Sequence, residues 1–356
     1  MRQRSAATRL VQREGIIDQA ILGRRSALAL LAGLALSGSA AAAERIRLGL
    51  LRTLSPAPFY IAQGRGYFAD EGVDVSFRFF QAAQPIAAAA VAGDIDVGVT
   101  ALTGGFFNLA ETGALKVIGG ALHEERGYEG SAILVSDAAY NGGLTSPAKL
   151  AGHSFAITQY GSSFHYMIGR IAEAEGFDPA SVHLRVVQTI ANMVAAVQSG
   201  QVDATIAIAS MARPVAAAGQ GHIIGWAGDT VPYQITAVFT TPAMIAKRAD
   251  ALHRFARAYQ RGVADYRAAF LRLDAKGKPI VDATTDAVIP LIEKYVFTGD
   301  PDARAKIIDG AGYYDVGGAL DVKDVTAQLA WFRKQGLVNG DLDAGAVIDT
   351  GFLPMR

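Results

Sequence analysis

The fold class this sequence predicts is α/β, in two sheet-centred lobes of similar construction joined by two chain crossings. Three observations predict it. Short apolar runs of strand type alternate with helical patterns about ten residues long, the mark of parallel sheets covered on both faces. Segments also recur at offsets of 104 to 107 residues: Glu71-Gly-Val-Asp74 with Glu175-Gly-Phe-Asp178, Val91–Asp96 with Gln198–Asp203, and Gly113–Gly119 with Gly219–Gly225. That period is too long for a solenoid, so it reads as two Rossmann-like units. Finally, Gly130–Ser136, leading into the turn Asn141-Gly142-Gly143, and Gln234–Thr241 read as the outward and return crossings. The division that follows is 1–43 as a leader, 44–136 with 236–356 as the first lobe, and 137–235 as the second.

The elements follow in order. Ile46–Leu51 is a strand, Arg52–Ser55 a polar loop, and an apolar-periodic helix begins at Phe59 behind Pro56 and Pro58. Proline suits the first helical turn, where its missing N–H is not needed. Val73–Phe80, Ile95–Thr100 and Lys116–Leu122 are the further strands of the first unit, separated by helices at Pro85–Ala92 and Gly104–Glu111. In the second unit the strands are Phe155–Thr158, Val182–Val187, Val202–Ile208 and His222–Trp226, with helices at Ser163–Glu175 and Ile190–Ser199. After Pro242 the chain is mainly helical: Ala249–Leu273, with Leu252, Phe255, Tyr259 and Val263 on one stripe, then Thr285–Tyr295, Pro301–Asp309 and Asp321–Gln335, the last with Asp321 as N-cap. These helices are expected to pack on the first lobe.

Composition narrows the function. Lys+Arg and Asp+Glu balance at 33 each, but the first 43 residues hold six Arg against Glu14 and Asp18, leaving 27 basic and 31 acidic residues beyond them. A body of net charge −4 has no overall basic field for nucleic acid. Arg24-Arg25, the apolar run Ala27–Leu36 and small residues ending at Ala41 and Ala43 read as an export signal cleaved near Glu44. The expected location is a periplasm, reached by a Sec or Tat route. The chain has no cysteine, which excludes disulfides, a thiolate metal site, a Cys nucleophile and a lipid-anchoring Cys. Asp94 and Asp96 read as a turn acid and a strand-start residue rather than metal ligands.

Three motifs carry a resemblance: Pro58-Phe-Tyr-Ile-Ala62, Gly66-Tyr-Phe-Ala-Asp-Glu-Gly-Val-Asp74 and Gly93-Asp-Ile-Asp-Val-Gly98. With them the chain resembles, from about residue 46 to 335, the periplasmic solute-binding proteins of ABC importers for nitrate, sulfonates and taurine, including those for thiamine pyrimidine precursors. The resemblance implies a type II periplasmic-binding-protein fold, a ligand in the cleft, a membrane permease as partner, a monomer, and neither cofactor nor catalysis. Thiamine-precursor synthases share the fold but use a Cys-rich motif, which this chain lacks; an enzyme acting on a small heterocycle or acid is the alternative.

Site residues are expected on loops beyond the carboxyl ends of the strands. On the first wall these are Ser55, Pro56, Phe59 and Tyr60, with core packing the competing reading for the two aromatics. Thr100, Ala101 and Leu102 open a helix on the same lobe. Tyr160, Gly161, Ser162, Ser163 and His165 open one on the other, where free N–H groups and the positive dipole end favour an anion; an ordinary Ser cap is the alternative. Tyr128, Ser210 and Gln234 lie on further loops. Ser and His this close on a helix start do not face each other, which argues against a hydrolase. His123–Arg126, Arg52 and Arg213 read mainly as solvated charges, with Arg52 and Arg213 able to clamp a carboxylate or sulfonate. Aromatic residues gather at these loops, among them Phe106, Phe107, Phe164, Tyr166 and Tyr233, and suit an apolar or aromatic ligand body. The expected ligand is thus a small organic anion, sulfonate or carboxylate, with small aliphatic sulfonates, nitrate-like anions and neutral pyrimidines as alternatives.

Overall fold

A computed structural model describes residues 43–275 and 279–356. The expected export signal, 1–43, lies outside the described residues except for Ala43. In chain order the strands are β1 (Glu44–Leu51), β2 (Val73–Phe80), β3 (Val97–Ala101), β4 (Lys116–Gly120), β5 (Leu122–Glu124), β6 (Ser131–Val135) and β7 (Ser154–Ile157). They continue with β8 (His183–Val186), β9 (Ala204–Ile208), β10 (His222–Trp226), β11 (Tyr233–Gln234), β12 (Thr236–Thr240) and β13 (Tyr313–Tyr314). The longer helices are α1 (Ala57–Gly64), α2 (Ala83–Val91), α3 (Gly104–Glu111), α4 (Ser163–Glu175) and α5 (Ile190–Gln198). Then come α6 (Ala209–Ala217), α7 (Pro242–Phe270), α8 (Ala283–Glu293), α9 (Ala303–Asp309) and α10 (Val322–Lys334). No described helix is long and apolar enough to cross a membrane.

Two five-stranded sheets organise the molecule, in the orders β2-β1-β3-β12-β4 and β10-β6-β9-β7-β8. β1 runs parallel to β2 along its full length, from Glu44 opposite Val73 to Leu51 opposite Phe80. In each sheet one strand runs against its neighbours: β12 is antiparallel to β3 and β4, and β6 to β9 and β10. These two are the strands the sequence marks as crossings. The sheets are therefore mixed rather than wholly parallel, because each crossing enters the far sheet from the opposite end. A third, three-stranded sheet, β11-β5-β13, forms where the crossings pass one another.

The internal recurrence has a structural counterpart. The Asp96 Oδ2 accepts from the Arg47 N–H at 2.8 Å, and the Asp203 Oδ2 accepts from the Ser154 N–H at 2.8 Å. Each acid pins the start of one strand to its neighbour. The turns before them use Gly93 at φ 75° and Gly200 at φ 70°, a conformation glycine adopts without a Cβ clash.

Two boundaries differ from the sequence reading. β6 pairs with β9 and β10, so 131–136 sits with the second sheet and the outward crossing precedes Ser131. The C-terminal helices also do not keep to the first half. α9 packs on α6, and α10 lies against both α3 and α4. On α10, Phe332 meets Phe107 at 5.9 Å and Tyr166 at 5.8 Å between ring centroids, while Trp331 stands edge-on to Tyr166 at 5.3 Å. Adjacent aromatics on one helix thus serve both halves. The core runs through both halves, with the strand residues Ile46, Leu48, Val97, Ile133, Phe155 and Ile206 wholly buried.

Candidate ligand site between the two sheets

Strand ends set the site. β1 and β3 finish at Leu51 and Ala101 in one half, β7 and β9 at Ile157 and Ile208 in the other. Between these ends is a cavity of about 50 Å3, room for roughly three or four water-sized spheres. Its walls are Leu51, Thr53 and Ser55, Ala82-Ala83 and Thr100-Ala101 from the first half; Thr158, Ser162–Phe164, Ile190 and Ile208 from the second; and Leu122, Ser131, Ile235 and Thr236 around the crossings. Eight of these seventeen residues are Ser or Thr, and none carries a charge. Three helices begin at this wall: α2 at Ala83, α4 at Ser163 and α5 at Ile190. The N-cap of α2, Ala82, offers no side-chain acceptor, so the first-turn N–H groups of that helix have no cap to satisfy them.

Most of the hydroxyls with a recorded partner hold structure. The Ser162 Oγ accepts from the His165 N–H at 3.3 Å, and the Thr236 Oγ1 from the Leu122 N–H at 2.8 Å. Ser131 hydrogen-bonds a wholly buried carboxylate, Glu124, through its hydroxyl and, at 3.1 Å, through its N–H. Burial pushes the Glu124 pKa up, and the Ser131 bonds oppose that rise. Thr100 differs. It is 2% exposed, and among the described residues its Oγ1 has no hydrogen-bond partner. Leaving a buried hydroxyl unpaired costs about 1–3 kcal/mol, which points to a partner the protein itself does not supply.

Of the residues expected at the site, Ser55, Thr100, Ala101, Ser162 and Ser163 line the cavity. Gly161 does not, yet it sits where the halves meet: its carbonyl accepts from the Gly104 N–H, at the start of α3, at 2.9 Å. Its φ of 77° turns the chain there in a way that suits glycine. His165 lies behind this turn, its Nδ1 accepting from the Gly161 N–H at 3.1 Å, and burial lowers its pKa to about 4. A neutral ring bonded in this way orients the loop and is not placed as a base for Ser162 or Ser163. Ser210 lines a wider vestibule of about 460 Å3, which shares Thr53 and Ile208 with the inner cavity.

The remaining expected residues do not line this cavity. Pro56 is buried as the N-cap of α1. Phe59 stacks on Tyr259 at 4.2 Å inside the first core. Tyr60, also wholly buried, donates from its hydroxyl to the carbonyls of Leu51 or Thr53, at 3.2 and 3.3 Å, so it braces the site loop from behind. Leu102 is core. Tyr128 packs on Tyr313 at 4.9 Å. Tyr160 is 57% exposed and lines a separate groove with Trp331. Gln234 is wholly buried, its Nε2 donating to the Thr236 carbonyl at 2.9 Å and its Oε1 accepting from the Asp321 N–H at 3.1 Å. Arg213 pairs with Glu129 and faces Trp226. The aromatic gathering is mostly core, with Phe164 the one aromatic wall residue of the cavity. Sequence reasoning missed Thr53, Ala82, Ser131 and Thr158. Of these, Thr158 ends a strand the sequence did show, so its position was the available signal.

Solved structures share this architecture. The periplasmic aliphatic sulphonate binding protein SsuA from Escherichia coli matches with a TM-score of 0.67 at 19% identity, over 86% of this chain and 92% of that one. The alkanesulfonate-binding protein SsuA from Xanthomonas axonopodis pv. citri, bound to MOPS, matches at 0.68 and 17%, over 86% and 98%. The periplasmic nitrate-binding protein NrtA from Synechocystis PCC 6803 matches at 0.62 and 16%, over 85% and 84%. The fold is thus that of the periplasmic binding proteins. No curated protein sequence matches the chain significantly. The family described as NMT1/THI5 like matches residues 54–269, more than half of the chain, and the chain belongs to that family.

Proposed function

We propose that this protein is the periplasmic substrate-binding component of an ABC importer, capturing a compact anion by closure of its two halves and handing it unchanged to a membrane permease. The cavity carries this reading: hydroxyls and helix starts from both halves converge on one small space, and Thr100 brings an unpartnered hydroxyl to it. Helix N-termini and hydroxyl donors favour an anion without a cationic side chain. The size of the inner cavity and its single aromatic side chain favour a small sulfonate, carboxylate or nitrate-like group over an aromatic body.

A thermal-shift screen tests the proposal, with methanesulfonate, taurine, nitrate, acetate and benzoate as probes. Small oxyanions are expected to raise the melting temperature, since a ligand bound only to the native state stabilises it by RT ln(1 + [L]/Kd). A shift by none of them would reject the reading. Recovery of a shifting compound in altered form after incubation would replace binding by catalysis.

A further inference from the structure

We propose that Arg52 recruits the anion at the mouth of the cleft, setting how fast ligand is captured rather than how fast it is released. This rests on the anion-binding reading above. Arg52 lines the vestibule, one residue before Thr53, which lines both the vestibule and the inner cavity. Its guanidinium lies 3.8 Å from the centroid of the Phe79 ring, and Nη1 donates to the Tyr295 carbonyl at 3.4 Å. The head is therefore held in place without being neutralised. Among the described residues no carboxylate is within ion-pair distance of it. Among the described residues no acidic side chain lines the vestibule, whose other walls are mainly apolar: Leu54, Ile208, Met211, Val296 and Phe297.

The charge balance gives this cation its role. Beyond residue 43 the chain carries 31 acidic against 27 basic residues, so its summed field does not attract anions. A positive head without an ion-pair partner among the described residues, over low-dielectric walls, supplies a local attraction that reaches about one Debye length, ~8–10 Å at physiological salt. Charges at the edge of a site act chiefly on association rate and its salt dependence. The inner cavity holds the ligand through hydroxyls and helix starts, so losing Arg52 leaves the dissociation rate alone.

Fluorine NMR line shapes with trifluoromethanesulfonate as probe read both rates on the full mature chain. The variants are Arg52→Gln and Arg52→Met, the second keeping an apolar body over Phe79, with melting temperatures as the check on folding. At low salt the association rate is expected to fall roughly three- to tenfold in both variants. At about 0.5 M salt the gap closes to under about twofold, with dissociation unchanged throughout. An association rate equal to wild type overturns the proposal. So does a faster dissociation rate, which would make Arg52 a holding residue. If the wild-type chain shows neither exchange with trifluoromethanesulfonate nor a thermal shift with any probe of the screen, the anion reading itself fails and takes this inference with it; thermal shifts without trifluoromethanesulfonate exchange leave the anion reading standing and overturn the role of Arg52 for sulfonates.

Discussion

Thr100 and Thr103 are three residues apart and their hydroxyls have opposite circumstances. The Thr103 Oγ1 accepts from the Phe106 N–H at 3.0 Å as the cap of α3 and donates to the Gln84 Oε1 at 2.6 Å. The Thr100 Oγ1 has no partner among the described residues. Thr103→Val is expected to cost about 1–2 kcal/mol of unfolding free energy, the range for losing a cap. Thr100→Val removes an unsatisfied buried group, so unliganded stability should hold or rise slightly. Its cost should fall on binding, weakening the affinity roughly three- to tenfold. Denaturant titrations with and without ligand separate the two, and equal losses of stability at both sites would contradict the assignment. The sequence showed Thr100 at a strand end, where ligands sit, so its place was legible. Phe59 and Tyr60 were not, because a helix start near the site displays the same residue types whether they face the cleft or the core. Only the packing partners, Tyr259 and Tyr295, decide it.

At the scale of elements, α10 shows what a local signal contains and what it omits. Its start was legible, and the Asp321 Oδ1 does accept from the Asp324 N–H at 2.9 Å. Its partners were not, since an apolar stripe does not say which surface it covers. Gly169 on α4 lies under Trp331 of α10, and a Cβ there would stand 2.2 Å from the Trp331 Cζ2. Gly169→Val should therefore cost about 2 kcal/mol or more, overpacking outweighing the helix propensity gained over glycine. A chevron or denaturant midpoint unchanged from wild type would show that Trp331 yields freely. α10 also carries Asp324, whose Oδ2 accepts from the Gln234 N–H at 2.8 Å and from the Gln328 Nε2 at 2.7 Å. Burial, outweighing these bonds, raises its pKa to about 6. A folded-state pKa above the unfolded value means the native chain holds the proton more tightly, so this contribution is complete below about pH 4 and is lost as pH rises through 6. The loss is roughly 2–3 kcal/mol. His123 acts with the opposite sign: burial lowers its pKa to about 4, so its contribution is present above about pH 6.5 and lost as pH falls. Asp324→Asn should remove its share of the falling slope, so that stability falls less, or rises more, between pH 4 and 6.5 than in wild type, while Glu124, also raised by burial, keeps its own share; a pH profile identical to wild type would exclude Asp324 as a source.

At the scale of the whole molecule, the two-sheet plan was legible because it was written twice. Asp96 and Asp203 perform one task at matched positions, and Gly93 and Gly200 make matched turns. The bridging by α10 and the early switch of β6 to the second sheet occur once each, so no recurrence announced them. One bond the two halves share directly at the cleft runs from the Gly104 N–H to the Gly161 carbonyl. It can be removed without touching a side chain. Gly104 is the first helical residue of α3, and Thr103 before it has φ −107° and ψ 164°, the extended conformation that a following proline requires. Proline is tolerated at a first helical position. Gly104→Pro would therefore keep the backbone of α3, provided the Leu337 carbonyl, 3.2 Å from where the new Cβ would stand, gives by a few tenths of an ångström, while its ring occupies the place of the N–H and presses on the Gly161 carbonyl. A ligand shifts a two-state equilibrium only by its differential affinity for the states, so handicapping the closed form must lower apparent affinity. The expected result is an unfolding midpoint within about 1 kcal/mol of wild type, affinity weakened about tenfold, and a smaller ligand-induced drop in the radius of gyration by small-angle scattering. Wild-type affinity together with wild-type compaction would mean that the contact between the two helix starts plays no part in closure, and that α9, α10 and the crossings hold the halves together without it.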